Sequence, residues 1–185
     1  ASQAHEIRNQ TTSLKVLSYV GEYSNFNGVQ SCVVDFKYIN NFKNLEDLYL
    51  DSPKDFINSN ELKKLTNLKS FSISGSDFSV GFGYDNRYTK SESFISETLP
   101  NLNKIKSIFI SNITNSNLSF LKNIDGLENF TIKDGHKSHN LKSIEGLDVS
   151  KLLTMSIVDC DSIENSSSLN NLNKVKSLKL EFQHS

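Results

Sequence analysis

Apolar residues return along this chain in a fixed hexamer, Leu-x-x-Leu-x-Leu, with mostly polar residues between them. The clearest copies are Leu45-Glu46-Asp47-Leu48-Tyr49-Leu50 and Leu68-Lys69-Ser70-Phe71-Ser72-Ile73. Four more begin at Ile105, Leu127, Leu152 and Val175, and looser copies begin at Leu14 and Val29. Alternation with a period of two marks a strand that buries one face. The pattern therefore predicts strands whose fourth and sixth hexamer positions point inward, while the fifth and seventh face solvent.

Intervals between hexamer starts are 15, 16, 23, 37, 22, 25 and 23 residues. Most leave room for a strand, a turn and a return segment before the next strand begins. The return carries its own pattern, because Leu118, Leu121, Ile124 and Leu127 recur every third residue, as do Leu141, Ile144 and Leu147. A three-residue period predicts 3₁₀ turns rather than full α-helices. Leu62 with Leu65, Leu99 with Leu102 and Leu169 with Leu172 supply the same return elsewhere. A β-sandwich would show turn signals every eight to twelve residues or so, shorter than these spacings. Amphipathic helices would sustain the three-four alternation over several turns, whereas polar residues follow each hexamer.

Over roughly residues 14–182 the chain resembles the leucine-rich repeat family, and its later repeats resemble the short bacterial, internalin-like type. The resemblance implies an α/β solenoid with a parallel concave sheet of about eight strands. Its convex side would hold 3₁₀ turns, loops and short helices. One solenoid would span 1–185, with 1–13 covering the first repeat and a long inserted loop at 79–98. The family's Asn three positions after the hexamer is replaced here by Pro53, Ser76, Ile113, Gly135 and Cys160, which predicts irregular turns. The two short N-terminal intervals predict a thin convex layer at that end.

Composition narrows the function. Only 36% of residues are apolar, which a single-layer repeat tolerates because each repeat buries one strip. A formal net charge of -1 lacks the electrostatic footprint of a nucleic-acid binder. No apolar run approaches the length of about 18 residues needed to cross a bilayer, so no membrane insertion is expected. Cys32 and Cys160 would lie about 24 Å apart in the stack, too far for a disulfide. Catalytic signatures are missing: there is no Gly-x-Ser-x-Gly, phosphate-binding glycine loop or His-Glu-x-x-His. His136 and His139 lack the Cys or carboxylate partners of a metal set. Neither an enzyme nor a cofactor is expected. Five sequons, at Asn9, Asn112, Asn117, Asn129 and Asn165, are no more than an Asn-, Ser- and Thr-rich chain yields by chance.

Candidate contacts lie where the repeat is broken. Down the stack the fifth position reads Ser18, Val33, Tyr49, Ser72, Phe109, Thr131, Ser156 and Lys179. Tyr49 and Phe109 stand among small polar neighbours, the usual composition of a hot spot. The seventh position reads Asp35, Asp51, Ser74, Ser111, Lys133, Val158 and Glu181, placing Asp35 and Asp51 on adjacent strands ready for a basic partner residue. The 37-residue interval carries Phe82, Tyr84, Arg87 and Tyr88 in a glycine-containing loop. Lysines at the second hexamer position form a solvated rim interrupted by Glu46 and Glu128.

The expected function is non-catalytic recognition of another protein through the concave face and the inserted loop. Alternatives are a small intracellular immunity or inhibitor protein that occludes a toxin or enzyme, and a microbial surface or secreted adhesin or virulence recognition domain. Little chain follows the strand at Val175, so its edge is expected to be covered by more of a longer protein or by a homodimer contact.

Overall fold

A computed structural model describes residues 14–20, 33–51, 55–74, 98–111, 117–133, 141–160, 163–164 and 167–182. Among the described residues nine strands run in chain order: β1 Val16–Val20, β2 Val33–Asp35, β3 Asp47–Asp51, β4 Asp55–Ile57 and β5 Ser70–Ser74, followed by β6 Ser107–Ser111, β7 Asn129–Lys133, β8 Thr154–Cys160 and β9 Ser177–Phe182. Seven of them form one sheet in the order β1-β3-β5-β6-β7-β8-β9, parallel at every joint. Such a sheet, with 3₁₀ turns between its strands, fits a leucine-rich-repeat-like solenoid.

The hexamers set the register. Leu17, Leu48, Phe71, Ile108, Phe130, Met155 and Leu178 are successive partners at the fourth position. Tyr19, Leu50, Ile73, Ile110, Ile132, Ile157 and Leu180 follow at the sixth. From β3 to β8 every residue in both rows is buried. A one-residue slip would turn all of these side chains to solvent, so burial locks the register. Each strand is also joined to the last by one repeated contact. The N–H groups of Glu46 and Asp47 both donate to the Lys15 carbonyl, at 2.8 and 3.0 Å. Lys69 and Ser70 do the same to Glu46, and the pattern recurs through Lys176 and Ser177 on Leu153.

The three-residue periodicity folds as 3₁₀ turns in most repeats, but Leu141, Ile144 and Leu147 lie in a segment with no 3₁₀ helix, ahead of the one at Val149–Lys151. 3₁₀ turns occupy Ile39–Asn41, Ser59–Lys64, Leu99–Asn101, Ser119–Leu121, Val149–Lys151 and Ser167–Asn171. Phe42 donates to Ile39 at 3.0 Å and Leu45 to Phe42 at 2.9 Å; Leu65 to Leu62 and Leu68 to Leu65 repeat the step. Each bond joins residues three apart, so the apolar residues stack on one side and continue into the first hexamer position. Before Val149–Lys151, Asp148 accepts from the Ser150 backbone N–H at 3.1 Å and from its hydroxyl at 2.6 Å. These bonds, the hydroxyl's above all, hold the carboxyl below its usual range against the opposing effect of burial.

Side chains also tie successive repeats together. Asn67 Nδ2 donates to the Lys43 carbonyl at 2.8 Å, and Lys151 Nζ donates to the Asp125 carbonyl at 2.8 Å. Both donors stand one residue before a hexamer and reach the preceding repeat. Cys160, three positions after its hexamer, is buried at the end of β8, and its thiol faces the Val158 carbonyl at 3.9 Å.

Two expectations need correction. The loose hexamer at Val29 is not a member of the main sheet: β1 pairs directly with β3, leaving seven strands rather than about eight. β2 instead pairs in parallel with β4, and the Phe36 and Phe56 rings stack beside this pairing at 5.7 Å. Only nine residues separate the Leu14 and Val29 hexamers, short of the dozen or so a parallel crossover needs. The two short intervals therefore make one turn of 31 residues, and the N-terminal end has a second strand layer rather than a thin one.

Candidate protein-recognition face

Strand alternation places the third, fifth and seventh hexamer positions on the solvent side of the sheet, although Ser111 at the seventh position of β6 is buried. The register makes Ser18, Tyr49, Ser72, Phe109, Thr131, Ser156 and Lys179 direct neighbours in one row. The fifth-position row thus stands with Val33 removed. Tyr49 is 41% exposed between two serines. Phe109, by contrast, is half-buried between Ser72 and Thr131, so its ring offers a partly sunken surface rather than a projecting one.

The third-position row lies on the same face, as period-two alternation requires. It reads Val16, Asp47, Ser70, Ser107, Asn129, Thr154 and Ser177. Between β5 and β8 the third and fifth positions carry hydroxyl or amide side chains except at Phe109. The Thr154 hydroxyl lies 2.8 Å from Asn129 Oδ1 across β7 and β8, tying two of these groups together. Charge is confined to the margins, with Asp47 half-buried on β3 and Lys133 exposed at the end of β7.

Asp35 and Asp51 are not brought together. Asp51 pairs with Val20 and Ser74 in the main sheet, whereas Asp35 pairs with Ile57 in the small one. The Asp35 carboxylate accepts from Asn58 Nδ2 at 2.7 Å and from the Lys37 backbone N–H at 2.9 Å, so it organises a turn. Asn58 itself adopts the left-handed conformation at φ 57. Phe82, Tyr84, Arg87 and Tyr88 lie outside the described residues, as do Cys32, His136, His139 and segment 1–13. Of the 79–98 loop only Thr98 is described, buried and hydrogen-bonded through its hydroxyl to Ser59 at 3.2 Å.

Three of the rim lysines are ion-paired along the stack. Glu46 sits between Lys15 at 3.2 Å and Lys69 at 2.8 Å, and Glu128 pairs with Lys106 at 2.8 Å. Lys15, Glu46 and Lys69 line a shallow depression with Asn44 and Asn67. The hydrogen bond from Lys69, then that from Lys15, holds the Glu46 carboxyl below its ordinary value. At the last strand, β9, Leu178 is 47% and Phe182 38% exposed, so this edge presents apolar surface. Among the described residues no helix is long and apolar enough to cross a membrane, and no cluster of three metal-ligating side chains occurs.

No protein-family model matches this chain, and no curated protein matches it. Among solved structures the chain is similar to an internalin (inlF) from Listeria monocytogenes str. 4b F2365, at 17% sequence identity and a TM-score of 0.35. The match covers 78% of this chain and 50% of the internalin, so the chain spans half the length of that protein.

Proposed function

We propose that this chain is a non-catalytic recognition module that binds another protein on the solvent side of its seven-stranded sheet. The carrying observation is the row in which exposed Tyr49 and half-buried Phe109 stand in register among Ser18, Ser72 and Thr131. Tyrosine offers a large amphipathic contact at low entropic cost, and short hydroxyl side chains adapt their hydrogen bonds, the composition that paratopes use. Strands hold these groups at fixed spacings, so little ordering is needed on binding. The inserted loop, with Phe82, Tyr84, Arg87 and Tyr88, extends the same contact in this reading.

Site-specific photo-cross-linking tests it. Benzoylphenylalanine at position 49 or 109 should capture one and the same protein from an extract of the source cells. The same probe at Lys43 or Lys122, in the turns, should not capture it. The Tyr49→Ala/Phe109→Ala protein should bind that partner more than tenfold more weakly. Capture only from the turn positions would show that another surface is used.

A further inference from the structure

Charge on the solvent side of the sheet sits at its margins: Asp47 and Asp51 on β3, Lys133 at the end of β7, and on β9 Lys179, which pairs with Glu181 at 3.1 Å. Asp47 stands at the third position of β3 and Lys133 at the seventh position of β7, with Tyr49, Ser72 and Phe109 between them. Neither Asp47 nor Lys133 has a side-chain hydrogen bond or ion pair among the described residues. This sets them apart from the rim, where Glu46 pairs with Lys15 and Lys69 and Glu128 pairs with Lys106. One half-buried carboxylate and one exposed ammonium therefore flank an uncharged strip bearing two rings.

The spacing can be read from the lattice. β3 to β7 is three sheet steps of about 4.8 Å, or about 14 Å. Third to seventh position is four residues along a strand, about 13 Å. The diagonal from Asp47 to Lys133 is therefore about 19 Å, the reach of about six residues of extended chain. Resting on the proposed recognition face, we infer that the occupant is an extended segment of the partner protein that crosses the strands on this diagonal. It carries a basic residue over Asp47 and a carboxylate over Lys133, about six residues apart. An aromatic or aliphatic side chain between them lies against Tyr49 and Phe109, and hydroxyls such as Ser72 serve its backbone N–H and C=O groups. A neutral glycan could use the hydroxyls and rings, but it would cover Asp47 and Lys133 without offering either a counter-charge. The opposed charges at the two ends favour the peptide.

A random dodecapeptide display library panned against the whole chain tests this, followed by fluorescence anisotropy with the enriched peptides. Enriched peptides should share a basic and an acidic residue about six positions apart around an apolar one. Their affinity should fall at least tenfold on Asp47→Lys and on Lys133→Glu. The doubly reversed protein should recover a peptide whose two charges are exchanged. No enrichment, enrichment without the pattern, or indifference to both charge reversals would overturn the inference. Tyr49→Ala and Phe109→Ala measured in parallel separate the two levels. Peptides that ignore charge yet lose binding to Tyr49→Ala refute only the charged diagonal. Peptides that ignore both aromatic substitutions refute the face itself.

Discussion

Gly146 lies so close to the backbone of the preceding repeat that a Cβ on it would fall 2.4 Å from Ser119 Cα and 2.6 Å from the Leu118 carbonyl oxygen. Its φ of 96 is also one that side-chain-bearing residues rarely adopt. Just beside it, the Leu118 N–H donates to the Glu145 carbonyl at 3.0 Å, which holds the two backbones together. Neither backbone can move away without breaking that bond. Gly146→Ala should therefore destabilise the fold by about 3 kcal/mol or more, combining backbone strain with overpacking. The midpoint of urea unfolding measures it, and an unchanged midpoint would refute the close approach.

Position in the stack, rather than residue type, sets the worth of a hexamer leucine. Leu48 and Leu178 both occupy the fourth position, but Leu48 is fully buried between neighbouring strands while Leu178 is 47% exposed on the edge strand. Leu48→Ala should cost about 2–5 kcal/mol through lost burial and a cavity. Leu178→Ala should cost about 1 kcal/mol or less, since little water is excluded there. Equal costs by chemical denaturation would mean that β9 is covered in solution.

Glu46 gives a pH signature. Its folded pKa is depressed by Lys69 and Lys15, so the pairing contributes stability that is fully present above the ordinary glutamate value of 4.5. That contribution is lost as pH falls through the lowered folded value. Carbon NMR should place the Glu46 midpoint below 4.5 and return it toward 4.5 in Lys15→Met/Lys69→Met or at high salt. A midpoint unmoved by removing both lysines would contradict the bridge.

Just past β4, Asn58 ties the ends of the two short strands together. A β-branched residue is disfavoured at its left-handed φ of 57, and the bond from its Nδ2 to Asp35 would be lost as well. Asn58→Val should destabilise by about 2 kcal/mol. Asn58→Gly, which relieves the backbone cost, should lose about 1 kcal/mol or less. Similar unfolding midpoints for the two variants would count against the strain.

The sequence alone determined which residues face the core. Period two from Leu45 to Leu50 and period three from Leu118 to Leu127 follow from the geometry of a strand and a 3₁₀ turn, so they are written in the local order of residues. The row containing Tyr49 and Phe109 was legible for the same reason. Which strand lies beside which was decided only by the tertiary structure. Val34 alternates with its neighbours like any hexamer residue, yet β2 pairs with β4, because a parallel partner requires a full turn of chain that local pattern does not register. With that placement went the pairing of Asp35 with Asp51. Alternation names the buried side of a strand, whereas hydrogen bonding across distant segments chooses its neighbours.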